Sequence, residues 1–309
     1  IANGGALDVF IKLLTSDDTP LFETSNPTLD DLMVQRLQIG YAQESLQTAA
    51  VLGIANLLCG ASKDLTLQIL AREGIVQALV QAADVVGTGK RNRRKHLTAT
   101  SKALELLCVH ATSEYAETLY AQAYDALVTM CTIPDPPPDS VAVGEFEHDR
   151  EAMEVDQEQL MIYVEEMMIP GNGLTGIAAL CSKPNLGLQV VKRLYDDEFV
   201  QVMGDFINSC AFDGVLTPIF RILTLMDNKV QALDVPRSVI ETLSNRKDVL
   251  ASLDTLSTLR PRALASQVEL VKRRTEVIGP TVRAEAKCLL RKLNVRSVTD
   301  VPSPADLVD

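Results

Sequence analysis

The apolar positions of the chain recur with the period of an α-helix. In the segment that begins at Leu46 they fall at i, i+4, i+7, i+8 and i+11, the spacing of one helix face: Leu46, Ala50, Gly53, Ile54, Leu57. Ser62 to Asp64 then interrupt the pattern with residue types that cap helices. The pattern therefore predicts a helix that ends just before Ser62.

Two further helices complete this unit. A short helix is predicted over Leu65–Ala71, and Gly74 ends it because glycine disfavours a helix interior. Ile75 and Val76 open a third, longer apolar pattern. The unit is therefore a helix, a short helix, a glycine and a last helix.

The same unit returns along the chain. Leu57-Leu58-Cys59 recurs 49 residues later as Leu106-Leu107-Cys108, and again as Ala179-Leu180-Cys181. Partial copies follow Gly5 and Gly214, and Gly279-Pro280 marks the start of one more helix. A period of this length is typical of stacked helical repeats. We therefore expect an all-α chain of about five to six irregular repeats.

The segment Leu46–Val86 resembles an armadillo repeat. Asn56-Leu57 ends an alanine-rich first helix, and Glu73-Gly74-Ile75-Val76 opens the third helix, as in that family. The resemblance implies a right-handed α-solenoid of the armadillo/HEAT type that binds other proteins along a concave face. Nuclear-import receptors of this family use repeated Trp residues, and this chain has none. The UCS family of myosin chaperones is more similar, through Val191–Asp197 and the repeat spacing.

The pattern divides the chain into three parts. Residues 1–131 and 161–309 carry the repeats, and 132–160 form an insertion that opens with Pro134-Asp135-Pro136-Pro137-Pro138. Proline and repelling carboxylates favour a mobile segment. The chain begins inside a patterned segment, so we expect a fragment of a larger protein.

Composition narrows the function. The net charge is −12, opposite to that of a phosphate-backbone binder, so no nucleic-acid partner is expected. Aromatic residues make up 4% and Trp is absent, which disfavours base- and sugar-stacking sites. No apolar run is long enough to cross a membrane, and the six cysteines lack metal spacing, so we expect buried, reduced thiols and a cytoplasmic location.

Candidate partner-binding residues follow from helix position. The exposed face of the last helix in the first two units would present Gln77, Gln81, Asp84, Asp125 and Thr129. Two charged segments could also dock, to each other or to a partner. The basic one, expected to be a connector, holds Lys90, Arg91, Arg93, Arg94 and Lys95. The acidic one includes Glu145, Glu147 and Glu151.

No motif predicts catalysis, a cofactor or a metal. Gly171-x-Gly173-x-x-Gly176 has dinucleotide-binding spacing, but no buried strand precedes it, so a helix-start turn is expected. His148 lies among carboxylates on the acidic segment, where metal ligands would be poorly pre-organised. Adjacent carboxylates such as Glu165-Glu166 point about 100° apart on a helix and should not share one site.

The sequence thus favours a non-catalytic protein-binding solenoid with a basic or partly unfolded partner. The UCS resemblance implies a chaperone or co-chaperone for a client such as myosin. Two alternatives stay open: a scaffold subunit of a cytoskeletal or ciliary assembly, and a nucleotide-binding enzyme that uses the Gly171–Gly176 segment.

Overall fold

The regular structure of the described residues is entirely α-helical. The computed structural model describes residues 5–15, 46–84, 90–132, 150–210, 212–229, 239–257 and 279–299. Within these, the side chains of 90–92, 150–161 and 294–299 are not described. The all-α expectation is confirmed for these ranges, which contain no strand.

Thirteen helices are numbered here in chain order over the described residues. Helices α1 to α6 span Ala6–Thr15, residues 46–59, Lys63–Leu70, Ile75–Ala83, Lys90–His110 and Ser113–Met130. Helices α7 to α13 span Arg150–Cys181, Gly187–Asp196, Phe199–Ser209, Asp213–Lys229, Val239–Ser244, Lys247–Ser257 and Pro280–Thr299. Helix α7 begins inside the segment 132–160.

Local signals in the sequence place the helix ends of the first unit. The Ser62 hydroxyl accepts a hydrogen bond from the Leu65 amide, which caps α3. Gly74 has a φ of 80°, a left-handed conformation that favours glycine, and α4 begins at the next residue. Gly5 before α1 and Glu198 before α9 are left-handed in the same way.

The buried face of α2 differs from the predicted one. Leu46 is 53% exposed, and the buried positions are Ala50, Val51, Ile54, Ala55 and Leu58. The stripe is rotated by about one residue because Val51 and Ala55 pack into the core beside Ala50 and Ile54. Leu57 is only half-buried against the core.

Packing joins helices that are close in chain order. Among the described helices other than α2, every extensively packed pair is at most three places apart. The long helices form one series of contacts: α5 with α7, α7 with α10, and α10 with α13. Two further groups of helices are in contact: α1 with α4 and α4 with α6, and, separately, α9 with α12.

Lysines tie successive long helices at their carboxyl ends. The Lys183 ammonium, just after α7, donates to the Ala111 carbonyl that follows α5, at 2.6 Å. Lys229 at the end of α10 donates to the Cys181 carbonyl of α7 at 3.0 Å. Both lysines satisfy carbonyls that a helix end leaves without an intrahelical donor. Lys292 of α13 pairs with Asp227 of α10.

Candidate partner-binding surface

All five predicted groove residues are exposed on two helices that pack together. Gln77 and Gln81 lie on α4, and Asp84 ends that helix. Asp125 and Thr129 lie on α6. Helices α4 and α6 are in contact, so the structure brings both sets to neighbouring helices.

Basic residues are unevenly distributed among these helices. The sequences of α4, α6 and α9 contain no Lys or Arg, although the whole chain has 29 of these residues. Helix α12 begins with one exposed cation, Lys247. We use the term last-helix surface for twelve of the exposed polar residues on α4, α6, α9 and α12. These are Gln77, Gln81, Asp84, Glu114, Glu117, Asp125, Thr129, Gln201, Asp205, Asn208, Asp248 and Asp254. An unbalanced acidic surface attracts cationic groups.

Arg246 links the α9 and α12 parts of this surface. Its guanidinium pairs with Asp205 of α9 at 2.9 Å and with Asp248 of α12. This hydrogen bonding holds the pKa of Asp248 below its usual value. Beside it, the Ser252 hydroxyl donates to the Asn208 amide oxygen at 2.8 Å. The two helices therefore hold their exposed faces in a fixed relation.

A cluster of aromatic and charged side chains lies where α6 meets α8. The Arg193 guanidinium carbon is 4.3 Å from the centre of the Tyr124 ring and 5.9 Å from that of Tyr120. Arg193 also pairs with Asp125 of α6 and, at 3.8 Å, with Asp197 just after α8. This arrangement combines a cation–π contact with charge-assisted hydrogen bonding.

Tyr124 anchors this cluster to the core. The residue is 1% exposed, and its hydroxyl donates to the Asp197 carboxylate at 3.0 Å. Burial, together with this carboxylate, raises the pKa of Tyr124 well above its usual value, so the hydroxyl stays a donor. The sequence did not predict the cluster, because its contacting residues lie 68 to 73 positions apart and carry no pairing signal.

The basic run is the start of a helix, and one of its arginines is bound within the chain. The expectation of a connector is wrong for Lys90 to His96, because these residues form the first turns of α5. Arg94, with only 11% of its side chain exposed, pairs with Glu166 at 3.1 Å and Glu165 at 3.6 Å. The helix neighbours therefore do share one site, because a single guanidinium can reach both carboxylates from α5.

The structure describes the side chains of only some of the other predicted docking residues. Arg93 and Lys95 are exposed on α5. Lys90 and Arg91 lie in α5 and Glu151 lies in α7, but their side chains are outside the described residues, as are Glu145, Glu147 and His148 altogether. The proposed docking of the acidic segment onto the basic run therefore stays a prediction.

The Gly171–Gly176 segment is neither a loop nor a helix start. It lies inside the continuous helix α7, just after Pro170. A Cβ at Gly173 would lie 3.0 Å from the Leu127 carbonyl oxygen of α6, and one at Gly171 would lie 3.0 Å from that of Gly214. The glycines therefore allow close helix packing, and no helix amino terminus is available there for a pyrophosphate.

Four of the six cysteines are buried as expected. Burial raises the pKa of the Cys108 and Cys181 thiols to about 12, so both stay protonated. The expectation is wrong for Cys59, which is exposed although it ends α2 as Cys108 and Cys181 end their segments. Cys288 is also exposed.

His96 is a buried polar residue that the sequence pattern did not single out. Its Nε2 donates to the Ala82 carbonyl at 2.8 Å, and its Nδ1 accepts from the Thr48 hydroxyl at 3.3 Å. A carbonyl only accepts, which assigns the proton to Nε2. Burial lowers the pKa of this imidazole. The spacing of His96 to Thr100, Ala103 and Leu107 was the available signal.

One cleft among the described residues is small. A cleft of about 80 Å³ between α10, α11 and α13, lined by Phe220, Ile240, Glu285 and Cys288 among others, is far smaller than typical ligand pockets. Within the described ranges, no group of three or more His, Cys, Asp or Glu is placed to hold a metal ion. No helix in the described part of the chain has the length and apolar character needed to span a bilayer.

Comparisons with known proteins assign no family to this chain. No family model matches it, and no curated protein matches it. The crystal structure of an engineered protein is similar at 12% identity and a TM-score of 0.46, over 94% of this chain and 98% of that one. A similarity at that score supports no argument about fold or function.

Proposed function

We propose that the chain is a non-catalytic, protein-binding α-solenoid of the armadillo/HEAT type. The neighbour-by-neighbour packing of α5, α7, α10 and α13 supports a linear stack, since each repeat of a solenoid contacts only the next. The left-handed residues before α1, α4 and α9 support it further, because the same device opens three last helices.

The partner is a basic, extended segment of another protein. The observation that carries this is the absence of Lys and Arg from α4, α6 and α9, set against the exposed carboxylates of α6, of α9 and of Asp84, which follows α4. In a stack these helices would line one face, and their charge would attract and orient a cationic chain. The α6–α8 cluster supports continuity of the face between α6 and α9, because Arg193 bridges the two units.

Binding to charge-designed peptides tests the proposal. Unstructured peptides of equal length, one rich in Lys and Arg and one rich in Asp and Glu, are titrated against the chain at two salt concentrations. The basic peptide should bind, and more weakly at high salt because exposed charges are screened. Asp84→Asn combined with Asp254→Asn should weaken binding. Neither carboxylate has a recorded partner among the described residues, so folding should be preserved.

A matched control makes the same charge change elsewhere. Asp64→Asn with Asp196→Asn alters two exposed carboxylates on α3 and α8, outside the last-helix surface. Equal weakening by both double variants would show that only net charge matters and would contradict the surface. A basic peptide that fails to bind at low salt would contradict the proposed partner.

A further inference from the structure

The surroundings of Arg193 have the features of a guanidinium-binding site built on α6. Tyr120 and Tyr124 are one helical turn apart, and their rings meet edge to face with centroids 5.4 Å apart. Asp125 follows on the same helix, and Asp197 approaches from the end of α8. A flat cation can stack on these rings while its N–H groups reach two carboxylates.

A comparison with Arg246, which also pairs with carboxylates, shows how the Arg193 site differs. Arg246 also bonds two carboxylates, Asp205 and Asp248, but within the described part of the chain no aromatic ring lies under it. Of these two described arginine sites, only the one on α6 combines rings with carboxylates. That combination selects a guanidinium over an ammonium ion, because only the guanidinium is planar enough to stack and to bond in a fork.

The site is accessible from solvent. The Arg193 side chain is 37% exposed, and that of Asp125 is 80% exposed. Exposed ion pairs contribute little to stability because water and salt screen them. Replacement of one guanidinium by another at this position therefore loses few interactions of the folded chain.

We propose that Tyr120, Tyr124, Asp125 and Asp197 form an arginine-binding site, which Arg193 fills in the free chain and an arginine of the bound partner fills in the complex. The inference deepens the proposed function, because it names arginine as the anchoring side chain of the basic partner. Arg193 then acts as an internal competitor that keeps the site closed to weakly basic segments.

Emptying the site tests this without any partner protein. The full chain with Arg193→Ala is titrated with N-acetyl-arginine amide and, separately, with N-acetyl-lysine amide at equal ionic strength, and binding is followed by the NMR signals of the tyrosine rings. The variant should bind the arginine compound about tenfold more tightly than the wild type does, and more tightly than the lysine compound. Arg246→Ala is the control, and it should gain no arginine binding.

A second variant covers the case in which Arg193→Ala does not fold. Asp125→Asn changes an exposed side chain and should weaken an arginine-rich peptide more than a lysine-rich peptide of the same charge. Equal weakening of both peptides, or no gain of arginine binding in Arg193→Ala, would overturn the arginine site. Failure of both peptides to bind the wild type would instead count against the proposed function, which separates the two outcomes.

Discussion

At the scale of single residues, glycines and one histidine control how neighbouring helices approach. Gly173 allows α7 to lie against the Leu127 carbonyl of α6. His96 joins α5 to the carboxyl end of α4 and to Thr48 of α2 through its two ring nitrogens. Gly173 has no side chain to separate α7 from α6, and both ring nitrogens of His96 form hydrogen bonds to neighbouring helices.

Gly173→Ala should destabilise the fold. Alanine raises helix propensity by about 1 kcal/mol. Its Cβ would lie 3.0 Å from the Leu127 oxygen and 3.1 Å from the Cys131 sulfur, and such overpacking costs about 1–3 kcal/mol. We expect a net loss of about 1 kcal/mol in the free energy of unfolding in urea. Gly214→Ala is the control, because nothing lies within 4 Å of its Cβ position and stability should not fall. A higher urea midpoint for Gly173→Ala would show that the close approach is not limiting.

His96 should make stability depend on pH. Its folded-state pKa lies below the ordinary value of 6.5, so in acid the unfolded chain binds the proton first. This stabilisation is complete above pH 6.5 and is lost as pH falls from 6.5 through the folded-state pKa. The loss approaches about 1.4 kcal/mol per pH unit while only the unfolded state is protonated. Urea unfolding of the wild type and of His96→Asn between pH 8 and 5 should show a steeper decline for the wild type. Parallel curves would assign the pH dependence to other groups.

At the scale of the element, three helices begin in the same way. Gly5, Gly74 and Glu198 have φ values of 75°, 80° and 53° and directly precede α1, α4 and α9. A left-handed residue reverses the chain direction sharply, and glycine adopts this conformation without a Cβ clash. Glu198 is therefore the one non-glycine residue of the three at a position that favours glycine.

Glu198→Gly should stabilise the chain. Relief of the left-handed strain is worth about 1–2 kcal/mol. The greater freedom of glycine in the unfolded chain offsets about 0.5–1 kcal/mol of this gain. Thermal unfolding should show a net increase of about 0.5–1 kcal/mol in stability. Glu198→Ala, which removes the carboxylate but keeps Cβ, should give no gain. Equal gains in both variants would point to the charge instead of the backbone.

At the scale of the whole molecule, we expect the stability of each part of the chain to depend on the helices packed beside it. Leu253 of α12 is fully buried, and α12 packs on α9 and α13, whereas α4 packs on α1, α5 and α6. In a linear stack, the stability of each unit depends mainly on its contacts with the adjacent units. A destabilising substitution at one end should therefore lower the stability of the helices near it and leave the other end unchanged.

Leu253→Ala should separate the two ends. The cavity costs about 2–5 kcal/mol at that site. Native-state hydrogen exchange should become faster for amides of α9, α12 and α13, while the amides of α3 and α4 keep their protection. Leu79→Ala, a matched cavity at the other end, should give the reverse pattern. Uniform acceleration along the chain in both variants would contradict the stack.

The sequence by itself determined part of the local structure of this protein. The start of α4 after Gly74, the Ser62 cap and the start of α13 at Pro280 were predictable, because each depends on interactions within a few residues. The exposure of Gln77, Gln81 and Asp125 followed from the helical period in the same way. The absence of Lys and Arg from α4, α6 and α9 also follows directly from the sequence.

The tertiary structure alone decided which distant residues meet. Arg94 with Glu165 and Glu166, Arg193 with Tyr124, and Gly173 with Leu127 are contacts between different helices. Periodicity indicates which face of a helix is buried, but it carries no information on which helix covers that face or how closely. The glycine spacing at Gly171–Gly176 therefore suggested a turn, and only the packing of α7 against α6 and α10 gave those glycines their physical role.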